Sequence, residues 1–146
     1  MKKLIAIILL TAAPAFAWEF DTYTNEMGDI SYKEVFAFNE DQPKTLFTAI
    51  LWDGRLMIVI KPDMRFIDGS RLDIKIDDHK IVRLTSFEKQ GAVFAPAVPD
   101  YIWGQLLSGN EAKIRFFTQA ESHTVSFSLE GIAAPLTKLL EAQNDK

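Results

Sequence analysis

Few residues in this chain can do chemistry, and their spacing decides what they can do. His79 and His123 are the only imidazoles, and there is no cysteine. His79 follows Asp77-Asp78, a trio that would suit a hard cation or acid–base work. It lacks the flanking glycine and glutamate of a calcium loop. A polar turn accounts for it instead, with His79 in the left-handed backbone that histidine tolerates. His123 stands between Ser122 and Thr124 at the start of a strand, but no Gly-x-Ser-x-Gly elbow presents a nucleophile to it. A solvated strand end explains it. The carboxylate pairs Asp77-Asp78 and Glu40-Asp41 fall in polar loops, where solvation is the default. No glycine loop cradles a phosphate, and the histidines do not share metal spacing. The sequence therefore predicts no catalytic, cofactor or metal site, and a protein that is not an enzyme.

Aromatic and charged side chains at turns are better candidates. Trp52 and Arg55 flank Asp53-Gly54 and can stack on one another. Tyr101 points off its predicted helix near the Pro96 and Pro99 loop, where an exposed tyrosine suits a protein contact. Asp77 and Asp78 would suit a basic partner. These five residues are the predicted contact set.

The element that must position the first two is a hairpin over residues 45–61, TLFTAILWDGRLMIVIK. Asp-Gly between apolar runs predicts a type I′ turn, which needs positive φ at both central residues. That turn sets Trp52 against Arg55, Leu51 against Leu56, Ala49 against Ile58 and Phe47 against Ile60. Alternation then puts Phe47, Ala49, Leu51, Leu56, Ile58 and Ile60 on one apolar face, the core. Thr48, Ile50, Trp52, Arg55, Met57 and Val59 make the other face, which is mixed and only part-covered.

Around this hairpin the chain reads as strands. Trp18 to Tyr23 predicts an edge strand, and Glu34 to Asn39 a second. Asp68-Gly69 predicts a bend, because a two-residue loop there would oppose polar to apolar residues. Arg71 to Ile76 pairs with Lys80 to Leu84 through a loop of Asp77, Asp78 and His79. Glu88 to Gly91 reads as a turn and Ala92 to Ala95 as a short apolar segment. A helix over 99–107 follows, with proline early and Gly109 just past its end. The last hairpin, with Gln119 to Ser122 as its loop, sets Ala112 against Leu129, Ile114 against Phe127 and Phe116 against Val125. A helix over 132–140 closes the chain, and residues 143–146 fray. The prediction is a mainly β, antiparallel, sandwich-like single domain over residues 18–142 with two short helices.

Met1 to Ala17 has the anatomy of a secretory signal: Lys2-Lys3, an apolar run Leu4 to Leu10, and Ala15-Phe16-Ala17. The run is too short to cross a bilayer, which takes about 20 residues. Cleavage is predicted between Ala17 and Trp18, with delivery to the periplasm and no membrane span thereafter. The full chain carries 16 basic and 20 acidic residues. Loss of Lys2 and Lys3 leaves a net charge of −6. An acidic domain with no basic cluster in its sequence predicts neither nucleic acid nor an anionic membrane surface as partner. Export usually invites disulfides, yet this core must hold without them.

The back half resembles the invasion-associated locus B family of exported bacterial proteins. The matching pieces are Leu56 to Pro62, Phe66-Ile67-Asp68-Gly69-Ser70 with its alternating strand, and Trp103 to Asn110. The fullest match is Val125-Ser126-Phe127-Ser128-Leu129-Glu130-Gly131, running into a closing helix that ends Leu139-Leu140. Family members usually carry a cysteine pair, one directly after a glycine, whereas here Ala92 follows Gly91. The resemblance implies a β-sandwich-like exported domain without an enzyme mechanism, linked by name to host-cell interaction. Two functions are thus expected: an envelope protein acting by protein contact, or an inhibitor or immunity-type protein blocking a lytic enzyme.

Overall fold

The computed structural model describes residues 18–41 and 43–144. Within them the chain forms β1 (Glu19–Thr24), β2 (Ile30–Asn39), β3 (Thr45–Trp52), β4 (Arg55–Pro62) and β5 (Ile67–Ile76). Then come β6 (Val82–Thr85), β7 (Phe87–Lys89), β8 (Ala92–Ala95), α1 (Asp100–Ser108), β9 (Glu111–Thr118), β10 (Ser122–Ser128) and α2 (Ala133–Asn144). The predicted leader, including Ala17, lies outside the described residues, as do residues 145–146 of the predicted tail. Helix α2 runs on past Leu140 to Asn144.

The strands make two antiparallel sheets, one six-stranded in the order β1-β2-β3-β4-β8-β7, the other four-stranded in the order β10-β9-β5-β6. Their apolar faces meet in one core that includes Phe47, Ile58, Ile60, Leu72, Ile74, Ile114, Phe116 and Phe127. The fold is a mainly β, sandwich-like domain. Helix α2 packs against α1 and strands β1 to β3, burying Leu136 and Leu139, with Lys138 lying 4.3 Å above the Phe20 ring. Trp18 pins the sheets together. Its indole packs edge-on to Phe47 at 5.4 Å, and its Nε1–H donates to the Ser128 carbonyl at 2.8 Å.

The β3–β4 hairpin has the register expected of its turn, Trp52 opposite Arg55 through Phe47 opposite Ile60. Asp53 and Gly54 take φ of 52° and 75°. The β5–β6 pairing also holds, but Asp77, at φ 49°, takes the left-handed position rather than His79. Two readings change. Asp68-Gly69 lies inside β5, and the sharp turn comes earlier, at Phe66 with φ 59°. Gly69 is required there because a Cβ would run into the Glu88 backbone where β7 crosses β5. In the last hairpin Ala112 faces Phe127, Ile114 faces Val125 and Phe116 faces His123. This is two residues tighter than expected. A slip of two keeps every side chain on its face, so alternation cannot detect it. The Thr118 N–H donating to the Glu121 carbonyl at 2.9 Å closes the shorter loop.

Candidate functional site

The sandwich has two outer faces, and the sequence populates them differently. On the six-stranded sheet, cross-strand pairing aligns Tyr23, Tyr32, Trp52 and Arg55 in one row over four strands. The next row is Asp21, Glu34, Ile50 and Met57. The third row runs through Glu19, Phe36, Thr48, Val59, Phe94 and Phe87. Tyr23 stacks on Tyr32 at 4.9 Å and Phe87 on Phe94 at 5.4 Å, each pair within 8° of parallel. Tyr23 and Trp52 are 55% and 54% exposed, and Phe38 and Phe87 also face solvent. Met57 floors a groove of about 230 Å³ between Trp52 and the Phe87–Phe94 stack. These side chains make an uncovered aromatic patch on the outer face of the sheet.

Acid sits in the same face. Asp21 and Glu34 are directly opposed across β1 and β2, a like-charge pairing that costs stability. Burial first, then the Asp21 charge, raises the Glu34 pKa above its ordinary value. Burial and the same carboxylates also raise the Tyr32 phenol.

The four-stranded sheet presents the opposite charge. Arg71, Asp73 and Lys75 of β5, Arg83 of β6, and Lys113 and Arg115 of β9 share its outer face. Asp73 is 3% exposed and is the hub. Arg71 donates to it from Nε and Nη2 at 3.3 and 3.0 Å, and Arg115 from the same atoms at 3.0 and 2.6 Å. Arg83 Nε lies 3.6 Å away. Burial alone would raise the Asp73 pKa; the hydrogen bonds and charges of Arg71 and Arg115 outweigh it and hold the carboxyl low. The Arg71 guanidinium also lies 4.5 Å from the Phe117 ring centre. The absence of a basic cluster read from the sequence is therefore corrected. Five basic side chains converge from three strands that are apart in the chain, and no local run of Lys and Arg announces them.

The predicted contact residues scatter. Trp52 and Arg55 are neighbours on the aromatic face, but the cation–π contacts among the described residues are those of Arg71, Arg115 and Lys138, not Arg55 on Trp52. Arg55 instead borders a cavity of about 240 Å³ with Asp100 and Trp103. Tyr101 stands 56% exposed on α1 rather than on the sheet. Asp77 is half-buried, its carboxylate accepting the backbone N–H groups of Asn110 and Glu111 at 3.1 and 3.0 Å. It anchors a loop, which leaves Asp78 as the exposed acid of the pair. His123 is not a free strand end. It is 18% exposed and stacks on Phe116 at 5.4 Å, with Glu121 3.5 Å from Nε2. Among the described residues, no three His, Cys, Asp or Glu side chains gather as a metal-ligand set. Nor is any described helix long and apolar enough to cross a membrane.

The class these features define is a β-sandwich-like domain with one aromatic, acidic outer face and one cationic outer face. No family model matches the chain, and no curated protein matches it. Among solved structures it is similar to the crystal structure of invasion associated protein B from Bartonella henselae, with 12% identity and a TM-score of 0.48. That likeness covers 88% of this chain and 86% of the other.

Proposed function

We propose that this is an exported, non-enzymatic envelope protein of the invasion-associated locus B type that works by protein contact. The observation carrying this reading is the open face of the six-stranded sheet, where Tyr23, Trp52 and Phe87 stay exposed beside a groove floored by Met57. Leaving large aromatics in water costs solubility, and docking a partner recovers it. The ordered signal anatomy of residues 1–17 supports export into the periplasm. Cleavage before Trp18 would leave a mature chain whose first side chain locks the two sheets. A second reading, inhibition of a basic lytic enzyme, is favoured by the Asp21–Glu34 pair, which a cationic partner would relieve. Both readings use the same face.

The test compares periplasmic partner capture by the wild-type protein and by Tyr23→Ser/Trp52→Ser. The account expects one reproducible partner, lost in the double variant while its melting curve is kept. Equal capture by both proteins would refute it. Mass spectrometry of exported material should find Trp18 as the first residue.

A further inference from the structure

The cationic face belongs to the other, four-stranded sheet, and it carries an only partly compensated like-charge pair. Lys75 and Lys113 are directly opposed across β5 and β9, a pairing that destabilises a sheet. Lys113 has partial relief from Glu111 at 3.8 Å; among the described residues Lys75 forms no ion pair. Beside them Asp73 holds the Arg115 guanidinium in a fixed fork. Both of those donors are taken by Asp73, so Arg115 contributes fixed positive charge at the edge of the site rather than a free fork.

Three further features describe the ligand. A shallow, mostly apolar cavity of about 180 Å³ has the lysine pair in its lining, together with Asp73, Ile74, Arg115, Ile81 and Thr124. It is smaller than the roughly 300–1,000 Å³ of pockets that swallow whole ligands, so it suits one unit of a larger molecule. Ile81 is 54% exposed and gives the cavity an apolar wall. Along the edge strand β10, Ser122, Thr124 and Ser126 line up exposed on the same face. Paired ammonium groups, an apolar wall and a row of hydroxyls together fit an acidic sugar, which brings a carboxylate, a C–H face and hydroxyls of its own.

We infer that the outer face of the four-stranded sheet binds an anionic polysaccharide, seating one acidic sugar over the Lys75–Lys113 pair. Nucleic acid fits less well. Its charges are dense and continuous, whereas the Lys75–Lys113 pair offers a single anionic seat. A lipid surface would need a broad basic plane, and here the basic groups occupy one sheet of a chain that is acidic overall.

Calorimetry at low ionic strength tests this with an alginate oligosaccharide, neutral dextran, single-stranded DNA and phosphatidylglycerol vesicles. Saturable binding of alginate but not dextran is expected. K75Q/K113Q should weaken it at least about tenfold, as loss of two charge-assisted contacts implies. The melting temperature of that variant should stay level or rise, because the repulsion goes with the lysines. Trp52→Ser, on the opposite face, should bind alginate as the wild type does, which separates this inference from the protein contact proposed above. No alginate binding, undiminished binding by K75Q/K113Q, or tighter binding to DNA or vesicles would each overturn it.

Discussion

The two outer faces of this sandwich share a β scaffold and carry opposite solutions to the same problem. On the four-stranded sheet a charge is sunk and paid for in place: Asp73 is buried, but Arg71 and Arg115 saturate it. On the six-stranded sheet, Glu34 is half-buried beside Asp21 with no cation in the opposing position. The first arrangement lowers a carboxyl pKa and the second raises one. One face therefore satisfies its buried carboxylate at its centre and leaves a like-charge pair opposed at Lys75–Lys113. The other opposes two acids and leaves its aromatics exposed.

Removing the hub should give the largest effect. Asp73→Ala leaves three guanidiniums facing one another without a counter-charge. Breaking a buried pair costs about 3–5 kcal/mol. Because Arg71 and Arg115 are more than a third exposed, water tempers this to about 2 kcal/mol, read from urea melts. The same change at the other face should act in reverse. Glu34→Gln removes repulsion without opening a cavity and should stabilise by about 0.2–1 kcal/mol at neutral pH.

Acid titration sharpens the contrast, because the two carboxyls shift in opposite senses. Asp73 has a lowered folded pKa, so its stabilisation is full above its unfolded value of about 3.9 and drains away as pH falls through the folded value. Glu34 has a raised folded pKa, so its penalty is full at neutral pH and is relieved as pH falls towards about 4.3. Stability should rise slightly on mild acidification and then collapse. Glu34→Gln should erase the rise, and Asp73→Asn should blunt the part of the collapse that Asp73 supplies. A wild-type profile that only falls from neutral pH would break the comparison.

The smallest effects should come from exposed positions. Trp52→Ala should change stability by no more than about 0.5 kcal/mol, in thermal or urea melts, because its ring is half in water and makes no described stacking contact. A large loss would mean that the aromatic row is part of the core's support rather than a surface.

How much of this was legible in the sequence follows from the range of each interaction. The β3–β4 register was readable because Asp53-Gly54 fixes the turn and the turn fixes the pairs. The β9–β10 register was readable in its faces but not in its offset, since Gln119 and Ala120 carry no comparable turn signal. The bend placed at Asp68-Gly69 belongs to Phe66, where a bulky residue takes positive φ and no local rule points to it. The aromatic face was half visible: Trp52 stands out beside its turn, but Tyr23 and Tyr32 join it only through the β1–β2–β3 order. The cationic face was also half visible: the β5–β6 register already sets Asp73 against Arg83, and alternation puts Lys113 and Arg115 on an outer face. Arg115 joins Arg71 and Arg83 on Asp73 only after β9 has been laid beside β5, and that pairing is between strands not adjacent in sequence. Asp77 stands out in the sequence for its charge, while its carboxylate accepts two backbone N–H groups at the start of β9.

The central claim is that the aromatic face meets a protein and the cationic face does not. A photo-crosslinking residue placed at Trp52 in one strain and at Thr124 in another tests this in the living cell. The account predicts a discrete protein adduct from position 52 and none from position 124. No adduct at 52, or the same adduct from both faces, would contradict it.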